Sequence, residues 1–153
     1  MIEGMGIEFS VDLVQWKTHS SELSEVRHAV FVVEQKIPQE IEIDAFDPQV
    51  MHALAIDREG HPIGTGRLSA EGRIGRVAVI AAWRGKSVGT ELMQGLIDHA
   101  RSEGMTSVHL HAQTQSLDFY QKLGFEPNGA EFSEAGIPHR NMTLELRKTA
   151  PPE

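Results

Sequence analysis

From Arg76 to Thr90 the sequence reads R-V-A-V-I-A-A-W-R-G-K-S-V-G-T, and these are the residue types of an anion site. An apolar run suited to a strand passes through a short loop into a helix start that contains Gly85 and Gly89. The unpaired N–H groups of a helix's first turn point outward and carry partial positive charge, so a phosphate or pyrophosphate is the natural ligand. Arg84 and Lys86 add full charges, the glycines let the backbone approach closely, and Ser87 offers a hydroxyl beside its N–H. A nucleotide P-loop is excluded. Gly85-Lys86-Ser87 matches the end of G-x-x-x-x-G-K-[ST], but Ile80 stands where the first glycine must be. Groups able to move protons lie elsewhere: the only tyrosine, Tyr120, together with Glu34, His109, His111 and His139.

Hydrophobic periodicity supplies the elements that must position these residues. Ile7 to Trp16 alternates as a strand, and Ser20 or Ser21 can cap a helix whose apolar residues Leu23, Val26, Val30 and Phe31 run into Glu34-Gln35. The acidic segment Ile37 to Gln49 reads as loop with a short helix. Strands follow at 50–56, 63–69 and 73–80, joined by turns at Asp57-Arg58-Glu59-Gly60 and Glu71-Gly72. A helix from about Ser87 to Glu103 carries Val88, Leu92, Leu96 and Ala100 on one stripe and stops at Gly104. A strand over 107–112, a short helix from Gln115 to Leu123 and an alternating strand from Arg140 to Leu146 complete the order β-α-β-β-β-α-β-α-β. The expected fold is α/β, with a mixed, mostly antiparallel central sheet flanked by helices. Residues 1–147 form one domain and 148–153, with Pro151-Pro152, a flexible tail.

Composition narrows the function classes. The 153 residues carry 22 Asp plus Glu against 14 Lys plus Arg, a net charge of -8, which argues against nucleic acid as the main partner. The chain has no cysteine, which removes disulfides, thiolate metal sites and cysteine nucleophiles together and fits the cytoplasm. No run of eighteen apolar residues is present, so no membrane span is expected. His109 and His111 share one face of a strand, but two histidines without a third ligand make no metal site.

The pattern Arg84-Gly85-Lys86-Ser87-Val88-Gly89 resembles [QR]-x-x-G-x-[GA], the coenzyme A pyrophosphate signature of the GNAT superfamily of N-acetyltransferases, with Ser87 where glycine is usual. Downstream, Gln113 to Phe125 is similar to the superfamily's N-x-x-A-x-x-[FL]-Y-x-K-x-G-F. Tyr120, Lys122, Gly124 and Phe125 match in spacing, while Gln113 replaces Asn and Ser116 replaces Ala. Val30-Phe31-Val32-Val33-Glu34-Gln35, His52-Ala53-Leu54-Ala55 and Gly136-Ile137-Pro138-His139 resemble the ElaA-like branch, which also tends to carry Gln in the Asn position. The resemblance spans roughly residues 7 to 146.

It implies an acetyl-CoA-dependent N-acetyltransferase acting on a primary amine of a small molecule or peptide. Val77, Ala78 and Val79 would give main-chain hydrogen bonds to pantetheine and the acetyl carbonyl. Arg84, Gly85, Lys86, Ser87, Val88, Gly89 and Thr90 would hold the pyrophosphate, and Gln113 and Tyr120 would line the far side of the arm. Attack of an amine on a thioester needs a neutral amine, a stabilised oxyanion and a proton for the departing thiolate. Tyr120 is expected as the acid, with a core aromatic as the alternative. Glu34, His111 and His139 are candidate bases, against a solvated helix end for Glu34 and structural roles for the histidines; His109 reads as strand surface. Without cysteine there is no acetyl-cysteine intermediate, and direct transfer in a ternary complex is the simplest path. Glu40, Glu42, Asp44 and Asp47 are by default a solvated loop; around an acceptor mouth they would favour a cationic amine. Two other readings stay open: an acyl-CoA-binding sensor or partner module without turnover, and a fold kept without coenzyme binding. Strand edges in such a sheet could support a homodimer.

Overall fold

The computed structural model describes residues 8–42 and 44–146, so the expected 148–153 tail and the start of the first strand at Ile7 lie outside the described residues. Strand β1 (Phe9–Gln15) leads into α1 (Trp16–Arg27) and a π-helical segment (His28–Glu34). A short helix α2 (Gln39–Glu42) and the strands β2 (Met51–Asp57), β3 (Pro62–Leu68) and β4 (Arg73–Val79) follow. Then come α3 (Val88–Ser102), β5 (Ser107–Gln113), α4 (Leu117–Lys122), β6 (Glu126–Glu134) and β7 (Ile137–Glu145). The strands form one sheet in the order β1-β2-β3-β4-β5-β7-β6. Every pairing is antiparallel except β4 with β5, so the sheet is mixed and mostly antiparallel as expected.

Adjacent residues of β4 show how the helices divide. Ala78 packs with Val26, Val30 and Phe31 of α1 and the π-helical segment, while Val79 turns to the main cluster containing α3. Side chains alternate along a strand, so α1 and α3 cover opposite faces. The expected α3 stripe is fully realised: Val88, Leu92, Leu96 and Ala100 are each at most 1% exposed. It lies so close to the sheet that a Cβ on Gly64 would meet Leu92 Cδ1 at 2.8 Å, and one on Gly66 would meet Leu96 Cδ1 at 2.9 Å. Burial of each such Leu contributes on the order of 1.5–3 kcal/mol.

Four expectations are corrected. Helical turns begin at Trp16, before the expected serine cap, with a break at His19 (φ −134°). The first helix does not run into Glu34 as α-helix; its last turns widen into π-helix and end where Gln35 N–H bonds Val30 C=O at 2.9 Å. A seventh strand, β6, occupies a stretch to which the sequence pattern assigns no element. It is an edge strand, mostly exposed, with a register shift near Gly129 and Pro127 tolerated because an edge needs only one bonded side. Ala135 (φ 53°) and Gly136 (φ 77°) form a two-residue hairpin turn that starts β7 at Ile137, three residues before the expected Arg140.

Candidate active site

The site begins with a parting of strands. Strands β4 and β5 pair only at Arg73↔His109 and Ile74↔Leu110. Beyond that, Arg76 adopts φ 53° and the β3–β4 register shifts, so β4 bends away. Thr65 Oγ1 donates to the Arg76 carbonyl at 3.1 Å and braces this bulge. Ile80 N–H bonds Ile63 C=O on β3, so strand alternation turns the main-chain groups of Val79 and Val77 to the side that β5 has vacated. The Val79 carbonyl there accepts Arg84 Nε–H at 2.9 Å.

The chain then turns through Ala81–Trp83 into α3. Gly85 (φ 76°) and Ser87 (φ 73°) both sit in the left-handed region, which accounts for the glycine usual at the second position. The first bond of α3 runs from Glu91 N–H to Ser87 C=O, so the N–H groups of Val88, Gly89 and Thr90 lie outside the helix ladder. Gly89 allows a close approach on the other side: a Cβ would stand 3.2 Å from Phe119 Cζ. A cradle of free amides at the start of a fifteen-residue helix fits a pyrophosphate.

Consecutive residues at the end of the π-helical segment reach across this opening. Glu34 accepts both Arg84 Nη groups at 2.6 Å, and the pair holds the Glu34 carboxyl below the usual carboxylate range. Gln35 and Gln113 exchange amide hydrogen bonds at 3.3 and 2.9 Å, tying the same segment to the end of β5.

The opposite wall is the β5–β7–β6 arm. Its register places Gln113 opposite His139 and His139 opposite Phe132, so these three share one face. The Phe132 ring stacks on His139 and meets His111 edge-on at 5.0 Å. His139, 7% exposed, lies 2.7 Å from the Ile137 carbonyl through Nδ1; a carbonyl only accepts, so that nitrogen carries the proton. His111 Nδ1 lies 2.7 Å from Glu134 Oε1 and 3.0 Å from Arg73 Nη2. Burial, the largest single influence, would raise Glu134, but the His111 hydrogen bond together with the charges of His111, His139 and Arg73 outweighs it and holds the carboxyl below its ordinary value. Tyr120 packs against Phe119 and Phe125 while keeping a face in the cleft, and burial pushes its hydroxyl up to about 12.

The acidic segment is no open rim. Arg27 and Arg67 chelate Asp47, Arg67 also binds Asp44 at 2.7 and 2.9 Å, and Arg76 reaches the Glu42 carbonyl at 2.8 Å and Asp44 at 3.1 Å. Arg27 is paired with Glu42 as well. Three carboxylates therefore meet three guanidiniums, which removes the negative field that would have drawn a cationic acceptor.

One cleft of about 1040 Å³ gathers the site. Every residue expected for catalysis or coenzyme binding lines it except Lys86, and His109 is also outside. The residues missed from sequence are Glu134 and Arg73, together with the arginine network. Glu134 lay in the unrecognised β6, where Gly136 between Phe132 and Ile137 is the one local turn signal.

The Acetyltransferase (GNAT) domain matches residues 17–146. This chain belongs to the GNAT acetyltransferase family. The chain is similar to YyaT of Bacillus subtilis, 37% identical over 83% of this chain and 89% of its own. ElaA of Escherichia coli is 33% identical over 88% of this chain and 98% of its own, and its crystal structure superposes with a TM-score of 0.78 at 30% identity over 90% and 99%. An acyl-CoA N-acyltransferase from Pseudomonas aeruginosa superposes with a TM-score of 0.79 at 30% identity over 89% and 99%. The ElaA-like GNAT resemblance seen in the motifs is thus confirmed, and with it an acyl-CoA co-substrate and an N-acyltransferase activity. Among the described residues, no helix of this GNAT domain is long and apolar enough to cross a membrane.

Proposed function

We propose that this GNAT enzyme transfers acetyl from acetyl-CoA directly to a primary amine of a small molecule or peptide, in a ternary complex. The observation that carries this is the single cleft. The anion loop lies at one end of it, the Phe132–His139 face at the other, and the free edge of β4 between them. Both substrates can meet there at once, and the chain has no cysteine to hold the acetyl group in between.

The free amides of Val88, Gly89 and Thr90 bind the pyrophosphate, with Lys86 supplying charge and Arg84 adding its own when it exchanges Glu34 for the phosphate. Val77 or Val79 N–H faces the thioester oxygen; one preorganised donor of this kind is worth about 2.7–4 kcal/mol. Of the candidate bases, Glu34 is engaged with Arg84, so His111 takes the proton from the acceptor ammonium. His139 stands beside it as the second imidazole of the wall. The amine then attacks, the C–N bond forms and the C–S bond breaks. With a pKa of about 12, above the roughly 8.5 of an ordinary thiol, Tyr120 stays protonated and stabilises the leaving thiolate as a donor. It releases its proton to sulfur only as it gains the second proton from nitrogen, so charge and protons balance.

Residues 1–147 are taken as one catalytic domain, a coenzyme A co-substrate makes the cytoplasm the proposed compartment, and the open edges of β1 and β6 are where a homodimer would pair. Steady-state rates across a grid of acetyl-CoA and amine concentrations, with free thiol as readout, test the reading. Intersecting reciprocal plots are expected. Parallel plots would overturn the ternary complex, and coenzyme binding without thiol release for any amine of a broad panel would favour the sensor reading.

A further inference from the structure

The Nδ1 atom of His111 faces a contest. Glu134 Oε1, from β6, lies 2.7 Å away and can only accept a proton; Arg73 Nη2, from β4, lies 3.0 Å away and can only donate one. A neutral imidazole carries one N–H, so the two neighbours demand opposite tautomers. If Arg73 wins, Nδ1 uses its lone pair on the guanidinium and Nε2 carries the hydrogen, which leaves no basic nitrogen for the substrate. If Glu134 wins, Nδ1–H points to the carboxylate and Nε2 keeps its lone pair. The shorter contact is to Glu134, and Arg73 finds its own compensation in the same carboxylate at 3.8 Å.

We propose that Glu134 is the positioning residue for His111: it fixes the Nδ1–H tautomer and so leaves Nε2 free to accept a proton from the acceptor amine. The step is a transfer of one proton from the ammonium nitrogen to Nε2; the ring becomes an imidazolium whose charge faces the Glu134 carboxylate. The wider surroundings are consistent with this. The titratable and charged groups around the pair are Arg73 on β4 and His109 on the same strand beside His111, and His139 on β7 beside Glu134; Glu134 is the sole anion among them. The hairpin turn at Ala135-Gly136 follows Glu134 directly and sets its place opposite Ile137 in the register. Both side chains are partly accessible, 29% and 40%, so the pair is not needed to hold the core.

This inference rests on the assignment of His111 as base, and the test separates the two. Side-chain ¹⁵N NMR of histidine-labelled protein reports which ring nitrogen of His111 is protonated. In the wild-type protein the Nδ1–H form is expected. Glu134→Leu should convert it to the Nε2–H form and lower kcat about 10- to 100-fold, the usual cost of removing a group that orients a ligating or reacting histidine, with KM for acetyl-CoA unchanged. Glu134→Gln, which keeps an acceptor, should retain more activity than Glu134→Leu, and removing Arg73 in the Glu134→Leu background should restore part of the Nδ1–H signal. An unchanged ring signal in a folded Glu134→Leu protein overturns the positioning role. A converted ring signal with wild-type kcat upholds the positioning role and overturns His111 as base, a result that His111→Ala with normal turnover would repeat independently.

Discussion

Ser87 is the departure from the coenzyme signature with the clearest physical consequence, and Ser87→Gly tests it. The residue sits at φ 73° and ψ 9°, its side chain is exposed, and it makes no side-chain capping hydrogen bond. A non-glycine residue in the left-handed region costs about 1–2 kcal/mol. Glycine removes that strain but gives the unfolded chain extra freedom worth about 0.5–1 kcal/mol. The net gain is about 0–1.5 kcal/mol, centred near ~0.75 kcal/mol, which for a chain of this length raises Tm by up to roughly 6 °C. Coenzyme binding should scarcely change, because the amide at this position is the same in both residues. The assays are thermal unfolding of the free protein and calorimetric titration with acetyl-CoA. Expected are a higher Tm and a Kd within about threefold of wild type, a change under roughly 0.7 kcal/mol. A lower Tm would refute the strain account. A Kd weakened more than tenfold would show that the hydroxyl, and not the backbone, holds the phosphate.

Tyr120→Phe should preserve acetyl-CoA affinity and lower kcat by about 10²–10⁴-fold, the usual range for a positioned acid; near-normal turnover would exclude it as the acid. Because the hydroxyl is pushed up to about 12, its loss of a proton cannot produce a decline in wild-type rate between pH 8 and 10, and a pH–rate series that shows Tyr120→Phe abolishing such a decline would contradict this. Glu34→Gln frees Arg84 for the anion site; since the broken pair is half-exposed, stability should shift by less than about 1 kcal/mol, with acetyl-CoA affinity equal or tighter by titration. Loss of turnover at unchanged affinity in that variant would instead make Glu34 the base. Asp44 is lowered from 3.8 to about 2, first by its hydrogen bond from Arg67 and against the effect of burial. Its folded value is depressed, so its stabilisation is complete above about pH 4 and is lost as pH falls toward 2. Urea midpoints measured across that window should fall less steeply in Asp44→Asn than in wild type.

How far the molecule was legible before folding depended on whether its signals were local. The α3 stripe, the strand–loop–helix at Arg76 to Thr90 and the spacing of Tyr120, Gly124 and Phe125 are each contained within one segment, and each is found as read. Strand β6 was missed for the opposite reason. Pro127 and Gly129 weaken its own propensity, and only pairing with β7 makes it a strand, so Phe132 and Glu134 could not be assigned to the cleft wall. The acidic segment misled in the same way, since the partners of Glu42, Asp44 and Asp47 are Arg27, Arg67 and Arg76, on three other elements.

The sequence by itself pointed to the kind of ligand. A helix start flanked by Gly85, Gly89, Arg84 and Lys86 has the makings of an anion site wherever that segment goes, because helix-end chemistry is short-ranged. The tertiary structure alone decided what surrounds the reacting atoms. The bulge at Arg76 parts β4 from β5 and exposes the main chain of Val77 and Val79. The hairpin carries Glu134 to His111, twenty-three residues away in the chain. It also decided that Glu34, a free carboxylate in the sequence, is bound to Arg84 fifty residues on. Hydrogen-bond contacts of under 3 Å between distant segments exist only once the sheet order is set, and proton chemistry is governed by those contacts.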